Sequence, residues 1–262
     1  MYEYNIRRIL SYTRRAVDDY GMIEKGDKIA VGVSGGKDSV TLLCALANLK
    51  RFYPNEFEIE AITMDPGFYK IGMGSEKEQK AGFEKIRKLC AELEVNFTLF
   101  ETDIAKIIFD IRNENNPCSL CARMRRGALH ENAKSLGCNK IALGHHFDDA
   151  VETFMLNLFN EGRIGCFSPV TYLDRRDITV IRPLVYAREK EIKYFINHSD
   201  LPILASPCPE DKNSDREEIK TLLSKLEKEN KGLKYRIFGA MQRAGIDGYK
   251  ITKLPFSDGK NG

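Results

Sequence analysis

The stretch Lys28-Ile29-Ala30-Val31-Gly32-Val33-Ser34-Gly35-Gly36-Lys37-Asp38-Ser39 decides how this chain of 262 residues is read. Its first half mixes small and β-branched apolar residues as a buried strand does. Its second half is a Ser-Gly-Gly turn that runs into the apolar helical segment Leu42-Leu43-Cys44-Ala45-Leu46-Ala47. A strand that passes into a helix through glycines aims several backbone N–H groups and the positive end of the helix dipole at one spot, with no Cβ atoms in the way. That spot suits an anion, and phosphate is the obvious one. Lys37 adds a mobile positive charge, Ser34 and Ser39 add hydroxyls, and Asp38 adds a carboxylate able to hold the Mg2+ that accompanies phosphates.

Two glycines before a helix can be a bare turn with no ligand. The full Ser-Gly-Gly-Lys-Asp-Ser run behind a strand is far more specific. It lacks the Gly-x-x-x-x-Gly-Lys-Ser/Thr spacing of the commoner phosphate loop. It resembles the pyrophosphate loop of the N-type ATP pyrophosphatases, and the resemblance implies cleavage of ATP between its α- and β-phosphates.

The length allows one large α/β domain with a smaller helical appendage. A net charge of +3 decides nothing globally, so local clusters of Lys and Arg carry any nucleic-acid argument. No apolar run approaches the roughly 20 residues that span a bilayer. The N-terminus does not resemble a signal peptide, so a cytoplasmic protein without membrane contact is expected. Seven cysteines at uneven spacing argue against a disulfide scaffold and for reduced thiols or metal ligands.

Ile6, Ile9, Leu10, Thr13, Ala16, Val17 and Tyr20 recur at helical spacing and stop at Gly21. Strands are expected at Phe57 to Met64, Asn96 to Phe100, Lys140 to Gly144 and Ile178 to Leu184, with helices between them. Such alternation predicts a doubly wound parallel sheet, in which ligands sit beyond the carboxyl ends of the strands. Met64, at one such end, is a candidate to cradle an adenine. Further helices are expected at about Glu189 to Asn197, Asp215 to Glu229 and Leu233 to Ala244, and a frayed tail from Ser257. The expected division is an N-terminal helix (1–22), an ATP-binding α/β domain (23–186) and a helical C-terminal extension (187–262).

A second strand-to-helix junction, Gly144-His145-His146-Phe147-Asp148-Asp149, brings Gly144 and two carboxylates to the same edge. Asp148 and Asp149 can cap the helix. Placed across from Lys37, they would orient Mg2+ and the nucleotide. Cys118 and Cys121 have the spacing of a shared metal centre, zinc or iron-sulfur. Cys44, Cys90, Cys138 and Cys166 lie in or beside apolar segments and read as packing. Cys208 lies between two prolines in a polar segment and is a candidate third ligand.

The pyrophosphate loop, Cys118-Ser119-Leu120-Cys121 followed by Ala122-Arg123-Met124-Arg125-Arg126-Gly127, the Leu143-Gly144-His145-His146 junction, Ile181-Arg182-Pro183-Leu184 and the late Cys208 together resemble the tRNA 2-thiocytidine biosynthesis family. The resemblance runs from about residue 20 to residue 245. It implies an adenine nucleotide alpha hydrolase-like fold and an ATP-dependent sulfur transferase. It also implies a [4Fe-4S] cluster on Cys118, Cys121 and Cys208, and a cytidine of the tRNA anticodon loop as substrate. Lys37, Asp38 and Asp149 are then the expected catalytic residues, with Ser34, Gly35, Gly36, Ser39, Met64, Gly144 and Asp148 at the nucleotide. The partners expected are tRNA, a sulfur donor (sulfide or a cysteine desulfurase) and a second copy of the chain in a homodimer. Related 2-thiouridine enzymes begin with zinc-binding cysteine pairs, whereas this chain has no cysteine before Cys44, which favours the cytidine branch. A thiolase or ligase acting on another tRNA base or on a small molecule is the alternative.

Overall fold

The computed structural model describes residues 5–112, 117–205, 208 and 215–250. Residues 1–4, 113–116, 206–207, 209–214 and 251–262, with the frayed end expected from Ser257, lie outside the described residues. Six strands form one sheet in the order β3-β2-β1-β4-β6-β5. They are β1 (Lys28–Gly32), β2 (Glu58–Asp65), β3 (Asn96–Glu101), β4 (Lys140–Ala142), β5 (Val170–Leu173) and β6 (Ile178–Ile181). Five of them run parallel, and β5 pairs antiparallel with β6 at the edge.

The two-residue period of the strands sorts their side chains onto two faces. Ile29, Val31, Ile59, Ala61, Ala142 and Ile181 enter the large apolar cluster. Ala30, Ile62, Met64, Ile141 and Ile178 face the opposite, smaller one, closed by Leu129 and Ala133. These last two belong to α5 (Pro117–Ser135). Both faces are therefore covered, as a parallel sheet requires.

The large face carries α1 (Arg7–Tyr20), α2 (Lys37–Lys50), α3 (Glu76–Glu92) and α7 (Glu189–Asn197). Helix α1 ends as its sequence demands: Gly21 takes φ +58° and its N–H returns to the Val17 carbonyl. Helix α2 is buried without a break from Ser39 to Leu49, which explains its apolar character all round. On the other face, a single turn α4 (Ile104–Lys106) continues as a π-helical segment, Ile107–Arg112, and Ile104 and Ile108 pack with Leu120 of α5.

The edge strand β5 was not foreseen. A turn at Asp174–Asp177, with Asp177 at φ +47°, folds it back on β6, and so short a connection leaves only the antiparallel pairing. The sheet is thus doubly wound and parallel over five strands, with one antiparallel edge.

The C-terminal helices α8 (Asp215–Glu229) and α9 (Leu233–Arg243) pack on α6 (Phe147–Asn160). Ile219, Leu223, Phe238 and Met241 join the same large apolar cluster as the sheet. A buried ion pair fixes the contact, Lys234 Nζ donating to Asp148 Oδ1 at 2.7 Å. The other Asp148 oxygen accepts the Glu189 N–H at 2.8 Å and so holds the start of α7. Burial opposes ionisation of Asp148, but Lys234 and the Glu189 amide outweigh it and keep the carboxyl below its ordinary value of 3.8. Lys234→Met strands this carboxylate without a cation and is expected to cost about 3–5 kcal/mol in urea unfolding at pH 7. The pair's contribution is present above pH 3.8 and lost as acid protonates Asp148, so the gap between wild type and variant narrows on acidification.

Candidate functional site

Strand order reverses between β1 and β4, and the two glycine junctions leave the carboxyl ends of these neighbouring strands. This is the switch point where open α/β sheets bind ligands. Gly35 sits at φ +84°, a backbone few other residues adopt, and Gly36 is the N-cap of α2. The junctions touch. A Cβ on Gly144 would lie 3.0 Å from the carbonyl carbon of Asp38 and 3.2 Å from the Ser39 nitrogen.

Within the loop, Ser39 Oγ donates to the Gly36 carbonyl at 2.9 Å and accepts the Ser34 N–H at 3.1 Å. Its only proton is spent on the loop, so Ser39 shapes the turn while the Ser34 hydroxyl, 3.2 Å away, can turn towards a ligand. Lys37 Nζ donates to Asp38 Oδ2 at 2.8 Å and lies 3.5 Å from Glu189 Oε1. Burial works against its charge, but Asp38 and then Glu189 outweigh it and raise the lysine above its ordinary pKa. Asp38 Oδ1 is buried with no hydrogen-bond partner, with His146 Nε2 3.7 Å away. An orphaned carboxylate oxygen beside a glycine-lined helix start fits a bound cation and phosphate.

The two aspartates of α6 are both engaged in contacts that hold the fold. Asp149 Oδ2 accepts the His146 N–H at 2.8 Å while His146 Nδ1 accepts the Asp149 N–H at 3.3 Å, a reciprocal cap. Its other oxygen takes Arg216 at 2.8 Å. Asp148 is paired with Lys234 and holds the start of α7. Met64, at the end of β2, packs in the small cluster with Leu129 and against the Asn132 amide.

Local pattern did not single out Glu189, Glu152, Arg216 or Lys220, all drawn into this network from α6, α7 and α8. Glu189 is held at about 2: burial opposes this, and Lys220, Lys193 and Lys37 override it. Glu152, buried beside Asp149 and only loosely met by Arg216 and Lys234, is pushed up to about 7.

The cysteine pair lies in the first two turns of α5, which enters from the carboxyl edge because β3 leaves there and β4 starts at the other end. Cys118 is exposed and Cys121 half-buried, one turn apart, and Cys208 is half-buried. Burial raises the Cys121 thiol, Arg125 works against it, and the neighbouring Cys208 and Cys118 raise it further. Cys121 thus has both other cysteines in its surroundings. Among the described residues no three His, Cys, Asp or Glu groups stand at metal-ligating range, but three soft thiols with a helix N-terminus and an Arg beside them form a donor set that fits an iron-sulfur cluster. The segment before Cys208 is bound to the phosphate loop: the Leu204 N–H donates to the Gly35 carbonyl at 2.9 Å. Its side chain covers Gly35 and Gly82, where an added Cβ would approach within 2.6 and 2.8 Å. Cys44, Cys90 and Cys138 are buried, and Cys166 donates to the Ala150 carbonyl at 3.4 Å. No helix of the described residues is long and apolar enough to cross a membrane.

Residues 5–227 match the family model described as a PP-loop domain. A tRNA-cytidine(32) 2-sulfurtransferase of Syntrophotalea carbinolica is 40% identical over 90% of this chain and 88% of its own length. The enzyme of that name from Geobacter sulfurreducens is 41% identical over 90% of both. Among solved structures, the U34-tRNA thiolase NcsA from Methanococcus maripaludis with its [4Fe-4S] cluster superposes with a TM-score of 0.73 at 26% identity, over 93% of this chain and 80% of that one. By its phosphate loop, its sheet and its relatives, the chain belongs to the PP-loop proteins and, among them, to the tRNA-cytidine(32) 2-sulfurtransferase family.

Proposed function

We propose that this protein uses ATP to activate C2 of a cytidine in the tRNA anticodon loop, at position 32 as in its relatives, and replaces the C2 oxygen by sulfur. One observation supports the reading: Cys118 and Cys121 begin α5 on the edge of the sheet where the phosphate loop lies, and Leu204, four positions before Cys208, is bonded to Gly35 of that loop.

A pyrimidine C2 oxygen is a poor leaving group. When it attacks the α-phosphorus of ATP, pyrophosphate departs, and the carbon then bears an AMP leaving group that hydrosulfide displaces. The loop amides of Gly35 and Gly36, the Ser34 hydroxyl and Lys37 bind the phosphates and meet the charge that develops on them. Asp38, with its unsatisfied oxygen, would hold Mg2+. Asp149, itself a cap, keeps the β4 to α6 junction and Gly144 pressed on the start of α2, and the adenine lies at the end of β2 beside Met64. Cys118, Cys121 and Cys208 would hold a [4Fe-4S] cluster, which supplies sulfur-binding chemistry at an iron without a cysteine ligand. Arg123 and Arg126, exposed beside the cysteine pair, guide the RNA backbone, and an unpaired loop base is flipped between the two centres at little unstacking cost. Sulfide, free or delivered by a cysteine desulfurase, is the donor.

With unmodified tRNA, ATP, sulfide and a reductant, the anaerobic protein is expected to yield 2-thiocytidine, detected by mass spectrometry of the digested RNA. Thiolated uridine would move the reading to the NcsA-like branch, and no thiolated nucleoside would end it. The same reaction should release pyrophosphate and AMP, and Lys37→Ala should abolish both. Orthophosphate with ADP would contradict the pyrophosphatase chemistry.

Anaerobically purified protein should be brown, with about four irons per chain. Cys118→Ala, Cys121→Ala and Cys208→Ala should each bleach it, while Cys90→Ala should keep the colour, as read by visible absorption and iron assay. Stoichiometric zinc without visible absorption would assign the cysteines to a structural metal.

A further inference from the structure

Glu189 Oε1 is the meeting point of three ammonium groups. Lys220 Nζ lies at 3.1 Å, Lys193 at 3.2 Å and Lys37 at 3.5 Å. One carboxylate oxygen cannot neutralise three cations, and Lys37 leans on Asp38 as well.

The three lysines are not equivalent. Lys193 sits one turn along α7 from Glu189 with half its side chain in solvent, an ordinary helix pair. Lys220 comes from α8, in the C-terminal part of the chain, and is two-thirds covered. It shares a single oxygen with the lysine of the phosphate loop, near enough for its charge to oppose that of Lys37. Glu189 is itself pinned, since its backbone N–H is held by Asp148. Two desolvated lysines are thus parked side by side on a fixed anion at the mouth of the glycine turn.

We propose that Lys220 is a second phosphate ligand of the reaction, and Glu189 the positioning residue that holds Lys37 and Lys220 ready for it. This rests on the ATP use proposed above. Triphosphate oxygens entering the turn replace Glu189 as the partner of both ammonium groups. When the bond between the α-phosphorus and its bridging oxygen breaks, the electron pair stays with the departing pyrophosphate. Lys37 alone would face that charge from one side; Lys220 meets it from α8.

The test is calorimetric titration of cluster-free protein with ATP, inorganic pyrophosphate and AMP. Lys220→Met is expected to weaken ATP and pyrophosphate about tenfold or more, the effect of one lost charge-assisted contact, and to leave AMP within about twofold. Lys220→Arg should restore most of the affinity, and Lys193→Met should leave all three ligands within about twofold. Each variant is compared at an unchanged melting temperature. ATP affinity unchanged in Lys220→Met, while Lys37→Ala loses it, would overturn the role of Lys220 and leave the ATP reading standing. Equal loss of AMP and ATP would reduce Lys220 to a structural ion pair. A wild-type protein that does not bind ATP would remove the reading beneath it.

Discussion

The close approach of two backbone turns governs this structure. The start of α2 and the junction after β4 meet at Gly144, where even a methyl group would have to displace the Asp38 peptide. Only glycine allows the contact, and the contact brings the anion-binding end of a buried helix against the start of α6. From there each neighbouring element follows: α6 carries Asp148, Asp148 holds α7 and α9, and α7 presents Glu189 back to Lys37. Fold and site share one set of interactions.

Charge balance around the site is local. Lys37, Lys193, Lys220, Arg216 and Lys234 face Asp38, Asp148, Asp149, Glu152 and Glu189 in overlapping pairs. The two glutamates show how unevenly the field is spread. Glu189, among three ammonium groups, ionises easily, whereas Glu152, deeper and next to another carboxylate, holds its proton towards neutrality. An arrangement near neutrality overall, with Lys37 and Lys220 sharing Glu189 beside the glycine turn, is prepared for a multiply charged anion without repelling itself when empty of one.

The chain announced its fold where local pattern and tertiary need coincide. The β1 strand, the Ser-Gly-Gly turn and α2 were legible because apolar period and glycine placement both specify them. The ends of α1, α7 and α8 were legible from periodicity and from Gly21. The edge strand Val170–Leu173 was not, because three half-buried residues and an exposed Tyr172 carry little period and its pairing depends on a turn with Asp177 in the left-handed region. Asp148 and Asp149 look in the sequence like one acidic pair, yet adjacent helical residues point about 100° apart, so Asp148 meets Lys234 of α9 while Asp149 meets the N-cap and Arg216 of α8. Glu189, Arg216 and Lys220 look like ordinary charges on amphipathic helices, and nothing in their spacing reveals that α7 and α8 bring them to the phosphate loop and α6.

The hydrogen bond from Leu204 to Gly35 also works as a ruler. Cys208 follows Leu204 by four positions, and even a fully stretched chain covers only about 3.3–3.6 Å per residue, so the Cys208 backbone stays within roughly 14 Å of Leu204. A thiol on so short a leash has no long swing available to it: it travels with the phosphate loop or the bond must first part. The length of chain between these two residues therefore sets the working distance between the place where a phosphate can be held and the place where a sulfur can be.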